Sequence, residues 1–168
     1  MHGRSLVTVL VALALGATVG SGGVVSTGRA DAAPPGHSPA ERSLLVAMNA
    51  ARSAHRLPPL RLSPLLSAPA RSHSASLATA RSLDHDGPNG EPFWARLVEA
   101  GFARTKWMGE NLALVPTCRD SAGEVVRMWL RSPGHRANLL SRRFRVVGAG
   151  VVSAEDCETT VFTADFGG

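Results

Sequence analysis

The chain has 168 residues, a formal net charge of +5 and 44% hydrophobic residues, which suits one domain with a core of its own rather than two. All of its basic residues except Lys106 are arginines, and they are spread along a chain without tyrosine. Because these arginines are not interleaved with aromatic residues, we expect no nucleic-acid partner. A mildly basic exported protein would still be attracted to anionic envelope polymers.

The N-terminal segment has the pattern of an export signal. It begins with a basic residue, Arg4, runs apolar from Leu6 to Val19, and reaches an Ala-x-Ala site at Ala30-Asp31-Ala32. This order predicts a secretory signal peptide over residues 1–32, since the apolar run is short for a membrane span. An uncleaved membrane anchor is the alternative. We therefore expect a secreted protein with no transmembrane span after cleavage.

The remainder is predicted to form a short flexible lead-in over residues 33–40 and one domain over residues 41–168. Two cysteines, Cys118 and Cys157, fall in that domain. In an oxidising compartment an even pair predicts one disulfide, which closes a loop of about 40 residues and stabilises the fold by about 2–4 kcal/mol.

Helices dominate the first half of the predicted domain. Ser38 followed by Pro39 predicts a capped start for a first helix through ERSLLVAMNAARSAHRL. The stretch PPLRLSP breaks the pattern, and a second helix follows through LLSAPARSHSASLATARS. Pro69 either kinks this helix or marks a start capped by Ser67. His73, on its apolar side, is expected to be a satisfied histidine in the core or at a cleft edge.

The second half predicts a loop (LDHDGPNGEP), a short helix (FWARLVEAG), a buried strand (GENLALV), a helix (SAGEVVRMWLRS) and two antiparallel strands (FRVVGAGVV and TTVFTADFG). Helices first and a hairpin last indicate an α+β fold with helices packed on a small antiparallel sheet. On the fourth helix we expect Val125, Val126, Met128 and Trp129 to be largely buried. Trp94, Trp107 and Trp129 are expected to be core residues, with Trp107 the best candidate for a partly exposed cleft wall.

Three polar residues stand beside glycine-containing turns and apolar segments, namely His85, Glu110 and His135. Two imidazoles and a carboxylate could hold a divalent cation, zinc among the candidates. They could equally form a hydrogen-bonded network in which Glu110 fixes a histidine tautomer. The gaps of 25 residues match no local metal motif, so both interpretations stay open.

The chain resembles the CAP superfamily of cysteine-rich secretory, antigen 5 and pathogenesis-related 1 proteins, and most of all its bacterial SCP-like extracellular branch. The resemblance rests on LLVAMNAARSAHRLPPLRLSPLL, HSASLA, LDHDGPNG, GENLAL, MWLRSPGHRANLL and VGAGV in this order, and it covers about residues 41–167. It implies an α-β-α sandwich, in which a central antiparallel sheet lies between helical layers and an open cleft lies on one side.

The family cleft carries two histidines and two acidic residues. By motif, His85 and His135 match the histidines, and Glu110 matches the acid of Gly-Glu-Asn. At the place of the second glutamate this chain has Ser132, which weakens any mechanism that needs two carboxylates. A substitute could come from three nearby acids, Asp84, Asp86 and Glu91. Arg136 and Asn138 are expected to be structural, and Ser132-Pro133-Gly134 to form a turn that fixes His135.

The resemblance implies a secreted binding module, either free or associated with the cell envelope, whose cleft takes a lipid, sterol or envelope glycan ligand through His85, Glu110, His135 and Ser132. A divalent metal on His85 and His135 is part of this hypothesis. The alternative is a metal-dependent hydrolase of envelope or extracellular polymers, in which Glu110 would be a ligand or general base. Whether the protein is an enzyme stays open at this point.

Overall fold

The computed structural model describes residues 36–103 and 106–168. The predicted signal peptide and the lead-in up to residue 35 lie outside the described residues. The elements in chain order are α1 (Pro39–Ala54), β1 (Arg61–Leu62), α2 (Pro64–Ala80), α3 (Phe93–Glu99), β2 (Met108–Val115), α4 (Ala122–Arg131), α5 (Pro133–Leu139), β3 (Val146–Ser153) and β4 (Thr160–Gly167). Within the described residues no helix is both long and apolar enough to cross a membrane.

The sheet has the strand order β1-β3-β4-β2, with β4 between its two long neighbours. β4 pairs antiparallel with β3 and with β2, as predicted for the hairpin. The expected antiparallel sheet is nevertheless mixed, because the two-residue strand β1 pairs parallel with β3. β1 was not predicted, because it has only two residues, Arg61 and Leu62, within the proline-containing stretch PPLRLSP. Only their pairing with Val146 and Val147 makes them a strand.

Helices cover both faces of the sheet and make the α-β-α sandwich. On one face the apolar side chains of α1, α4 and α5 form a single core with β3 and β4, which includes Leu44, Trp129, Leu139 and Phe162. On the other face, the backbone of α2 packs directly against the backbone of β3. A Cβ atom on Gly148 would lie 2.2 Å from the Leu66 backbone, so only glycine permits this approach.

The start of α1 is as predicted, whereas the start of α2 is not. Ser38 and Glu41 form a capping box at α1. The predicted Ser67 cap of α2 is wrong, because the helix begins at Pro64 with Ser63 as its N-cap and keeps Pro69 in its interior. Ser67 is instead buried, and its hydroxyl accepts a hydrogen bond from the Ala149 backbone N–H over 3.1 Å.

Three predictions of burial were wrong in part. Trp129 is 1% exposed, and its indole N–H donates to the Leu112 carbonyl. Trp94, expected in the core, and Met128, expected to be largely buried, are 39% and 37% exposed, and Trp107 is 57% exposed. Trp94 lies at the start of α3 and Trp107 directly before β2, where the sequence period gives little information about burial. Met128 lies inside α4 but outside the helical stripe that buries Val125 and Trp129.

A buried cation connects α1 to the chain around α5. Arg52 is fully buried, and its guanidinium donates to the carbonyl oxygens of Pro58, Leu139 and Ser141 at 2.9–3.0 Å. These carbonyls stand in for a carboxylate partner. The contacts fix the end of α5 against α1, and α5 carries His135.

The predicted disulfide is confirmed. Cys118 and Cys157 are bonded, and no described cysteine is free. The bond joins the loop after β2 to the turn between β3 and β4. It therefore lies at the end of the sheet away from Glu110, which stands near the start of β2.

Candidate functional site

Glu110 is a buried carboxylate on the edge strand β2, with a side chain only 1% exposed. Both of its oxygens are hydrogen-bonded. Oε1 accepts from Nδ1 of His85 over 2.7 Å, and Oε2 accepts from the Arg96 guanidinium over 2.6 Å. Ionised donors make such bonds short and strong, so the carboxylate is held from two sides.

Arg96 closes a three-residue cluster, which we call the His85–Glu110–Arg96 cluster. Besides Glu110, its guanidinium donates to the backbone carbonyl of His85 over 2.9 Å. The three residues come from the loop at 83–92, from β2 and from α3, so three separate segments meet at one carboxylate. Sequence analysis did not single out Arg96, because one arginine on a short helix of an arginine-rich chain carries no motif.

The cluster favours a protonated His85. The hydrogen bond to Glu110 raises the pKa of His85, and the negative charges of Glu110 and Asp84 act in the same direction, against the effect of burial. The side chain is 52% exposed, and its second ring nitrogen, Nε2, makes no hydrogen bond to any described residue. The site therefore presents a fixed imidazole whose outer nitrogen is available to a ligand.

His135 approaches the cluster from α5. An amide bridge holds it there: the Asn138 side chain donates to the Glu110 carbonyl and to the Asn111 side chain, each over 3.0 Å. Asn111 in turn donates to the His135 carbonyl over 2.9 Å. Burial lowers the pKa of His135, and the nearby charge of His85 lowers it further. The cleft thus pairs one imidazole that favours its cation with one that favours its neutral form.

The predicted Ser-Pro-Gly turn before His135 is wrong, because the segment is helical. Pro133 is the first residue of α5 and Ser132 is its N-cap. Proline suits that position, since its fixed φ is helical and its missing N–H would have had no partner. Ser132 is half-buried, and no hydrogen bond to the described residues joins its side chain to the cluster.

A second carboxyl group comes from Asp165, which lies on the predicted last strand but was not among the candidate site residues. Asp165 on β4 lies directly opposite Glu110 on β2. Its side chain is fully buried, and neither oxygen accepts a hydrogen bond from a donor among the described residues. Burial raises the pKa of Asp165 well above its usual range, and the negative charge of Glu110 acts in the same direction. Asp165 therefore favours the neutral carboxylic acid.

Two of the three acids suggested as substitutes, Asp84 and Glu91, form side-chain hydrogen bonds within the loop. Asp84 accepts a hydrogen bond from the Asp86 backbone N–H, and Glu91 accepts two from Asn89. None of the three is hydrogen-bonded to Glu110 in the described part of the chain. The usable signal in the sequence was Asp165 itself, since a carboxylate inside an otherwise buried strand needs a special environment.

His73 is a satisfied histidine at the edge of the site. It is 3% exposed, and its Nε2 lies 2.9 Å from the Asp84 carbonyl oxygen. Burial and the charge of Arg96 lower its pKa. The bond fixes the His85 loop to α2. A pocket of about 320 Å³ lies between them, lined by residues that include His73, Asp84 and Pro88.

The donor set does not fit a divalent metal. Nδ1 of His85 and both oxygens of Glu110 are already hydrogen-bonded, and the Arg96 guanidinium adds a positive charge beside the carboxylate. Two imidazole nitrogens would remain, fewer than the three protein ligands of a catalytic zinc site. Over residues 36–103 and 106–168, no group of three or more His, Cys, Asp or Glu side chains could hold an ion. The metal on His85 and His135 stays a prediction.

Comparisons with known proteins agree with this fold. Residues 45–166 match the model of a family described as the cysteine-rich secretory protein family, CAP. The protein YkwD of Bacillus subtilis is 31% identical over 137 residues, which are 81% of this chain and 51% of YkwD. The chain thus spans about half the length of this curated relative.

Two solved structures show the same architecture. An extracellular protein of Bacillus anthracis that contains an SCP domain is 28% identical, with a TM-score of 0.62 over 76% of this chain and 39% of that one. An outer surface protein of Borrelia burgdorferi has a TM-score of 0.65 at 21% identity, over 76% of this chain and 91% of that one. The chain belongs to the cysteine-rich secretory protein (CAP) family, in its bacterial branch.

Proposed function

We propose that this chain is an exported binding domain that holds an extracellular ligand at the His85–Glu110–Arg96 cluster and His135. One observation carries the proposal: both oxygens of Glu110 are already hydrogen-bonded, while Nε2 of His85 is not. The carboxylate fixes the imidazole, and the imidazole faces the ligand. The partner of one ring nitrogen sets the tautomer and orientation of the ring, so the bond to Glu110 determines how Nε2 is presented.

The ligand's chemistry follows from the two histidines. Protonated His85 donates a hydrogen bond through Nε2, which suits a carboxylate, phosphate or hydroxyl oxygen. Neutral His135 can accept a hydrogen bond as well as donate one. Headgroups of lipids, sterol hydroxyls and envelope glycans offer these groups.

The same geometry disfavours the alternative, a metal-dependent hydrolase that uses Glu110 as general base. A general base must reach the proton that it removes, and Glu110 is 1% exposed with Arg96 bound to it. Asp165, the other carboxyl group, is fully buried behind it. Neither acid is placed to activate water in the open cleft.

Export is supported by three features. The N-terminal segment has a signal-peptide pattern. The Cys118–Cys157 disulfide is typical of an oxidising compartment. The similar Bacillus anthracis protein is described as extracellular. We propose that the mature protein is secreted.

Calorimetric titration with soluble envelope glycan fragments, a fatty acid and a sterol tests the proposal. For the ligand that binds, we expect affinity to fall at least tenfold in His85→Ala and His135→Ala. The matched control is His55→Ala, an exposed histidine whose ring bonds only the Ala51 carbonyl and Arg136. Because the raised pKa of His85 favours its cation, binding of an anionic ligand should weaken as pH rises through that pKa.

Equal affinity in all three variants would contradict the proposal. Release of hydrolysis products that stops in Glu110→Gln would favour the hydrolase instead. Folding of each variant is checked by its thermal transition, since His85 contacts a buried carboxylate.

A further inference from the structure

A second surface combines an exposed indole with cations that pair with no carboxylate among the described residues. Trp107 precedes β2 and is joined to Gly168 by two backbone hydrogen bonds of 3.1 Å. Its side chain is 57% exposed, against 1% for Trp129. The Arg143 guanidinium lies 3.9 Å from the centroid of its ring, in a cation–π contact.

Four more cations lie along the backbone next to this tryptophan. The Arg145 N–H donates to the Gly167 carbonyl, and the Arg61 N–H donates to the Arg145 carbonyl. Arg142 and Lys106 directly adjoin Arg143 and Trp107 in the chain. We call this set the Trp107 basic surface, and its members are Arg61, Lys106, Trp107, Arg142, Arg143 and Arg145, all exposed.

No member of the Trp107 basic surface forms an ion pair with a described carboxylate. Three other arginines do: Arg71 pairs with Glu41, Arg81 with Asp156 and Glu158, and Arg96 with Glu110. Five like charges in one region repel one another, and an opposite charge from outside the chain would relieve that repulsion. The surface is therefore complementary to an anionic partner.

The indole selects among anionic partners. A dissolved polyanion would be attracted by the charges alone and would gain little from an exposed tryptophan. At a bilayer surface, in contrast, tryptophan sits at the headgroup level, with its apolar ring toward the acyl chains and its N–H in the polar layer. Each arginine or lysine near an anionic leaflet strengthens binding severalfold. Charge and indole together match a lipid surface.

We propose that the Trp107 basic surface binds the anionic phospholipid surface of a membrane peripherally. No helix of the described residues is long and apolar enough to span a membrane. Among the described residues, no side-chain hydrogen bond or ion pair joins this surface to His85, Glu110 or Arg96. The inference is independent of the proposed ligand of the cleft.

Vesicle sedimentation tests this inference on the protein recovered from the medium of an expressing host. The probes are phosphatidylcholine vesicles with and without about one-third phosphatidylglycerol. We expect binding only to the anionic vesicles, with a blue shift of tryptophan emission. Lys106→Gln/Arg142→Gln/Arg143→Gln should weaken binding about 100-fold. Trp107→Phe should lose the blue shift, since Trp94 and Trp129 belong to other parts of the fold.

The matched control is Arg119→Gln/Arg127→Gln/Arg131→Gln, which removes three exposed arginines of α4 and its preceding loop that also lack ion pairs. It should bind the anionic vesicles within about threefold of the original chain. Equal losses in the two triple variants would overturn the proposal, because attraction would then depend on net charge alone. Equal binding to neutral vesicles would overturn it too, as would an unchanged blue shift in Trp107→Phe. Arg145 is left intact because its guanidinium bonds the Phe144 carbonyl.

Discussion

Replacement of Arg96 by methionine tests how the cleft is held together. The variant keeps most of the volume of the side chain but removes the guanidinium 2.6 Å from Glu110. Glu110 would then be a carboxylate 1% exposed with only His85 as its partner. Removal of one partner from a buried ion pair costs about 3–5 kcal/mol. The surviving His85 bond offsets part of this, so we expect a loss of about 3 kcal/mol in the free energy of unfolding.

Urea denaturation near neutral pH, followed by circular dichroism, measures this loss. The matched control is Arg81→Met, because Arg81 also contacts two carboxylates, Asp156 and Glu158, but is 54% exposed. An exposed pair of this kind contributes about 1 kcal/mol or less. The double variant Arg96→Met/Glu110→Gln should recover stability relative to Arg96→Met, since it removes the uncompensated charge.

A loss in Arg96→Met no larger than in Arg81→Met would refute this reasoning. It would mean that water or a rearranged His85 loop solvates Glu110, and that the cluster does not hold the carboxylate. A further loss in the double variant would also contradict it, since Glu110 would then be stabilising without Arg96.

Two further predictions concern protons and metal. The raised pKa of Asp165 means that the native state binds this proton more tightly than the unfolded chain, so stability falls as pH rises from about 4 towards the native pKa, by at most about 1.4 kcal/mol per pH unit. The Asp165→Asn side chain cannot ionise, so the free energy of unfolding of this variant, measured in urea, should rise relative to that of the original chain over the same pH range. A difference that does not change with pH would show that the pKa of Asp165 is not raised in the native state. In calorimetric titration of the metal-free protein with zinc near neutral pH, we expect no saturable one-site heat, because the described donors do not complete a metal site. Saturable binding lost in both His85→Ala and His135→Ala would contradict that expectation and restore the metal hypothesis.

Local signals predicted most of the helices and strands. The capping box at Ser38 and Glu41, the two strands of the final hairpin and the disulfide each depend on residues close in sequence or on a simple count. The helix that begins at Pro133 was not predicted, because Ser-Pro-Gly is compatible with both a turn and a helix start. The helix is favoured by the burial of Leu139 at its end, which the sequence alone does not show.

The candidate site was predicted only in part, for a physical reason. Motifs identified His85, Glu110 and His135, but the groups that set their charge come from elsewhere. Arg96 lies 14 residues from Glu110 in the chain and contacts it only when α3 packs against β2. Asp165 lies opposite Glu110 only when β4 pairs with β2. Contacts of this kind depend on the register of the sheet, which single residues do not specify.

The Cys118–Cys157 disulfide and the titratable groups of the cleft lie at opposite ends of the sheet. Glu110 and Val115 are five residues apart on β2, about 17 Å of strand, and the disulfide lies beyond Val115. A reductant would therefore loosen the turn between β3 and β4 while the hydrogen bonds of the cleft persist. A change of pH would act at the opposite end, on His85 and Asp165. We therefore expect reduction to act first at one end of the sheet and a change of pH at the other.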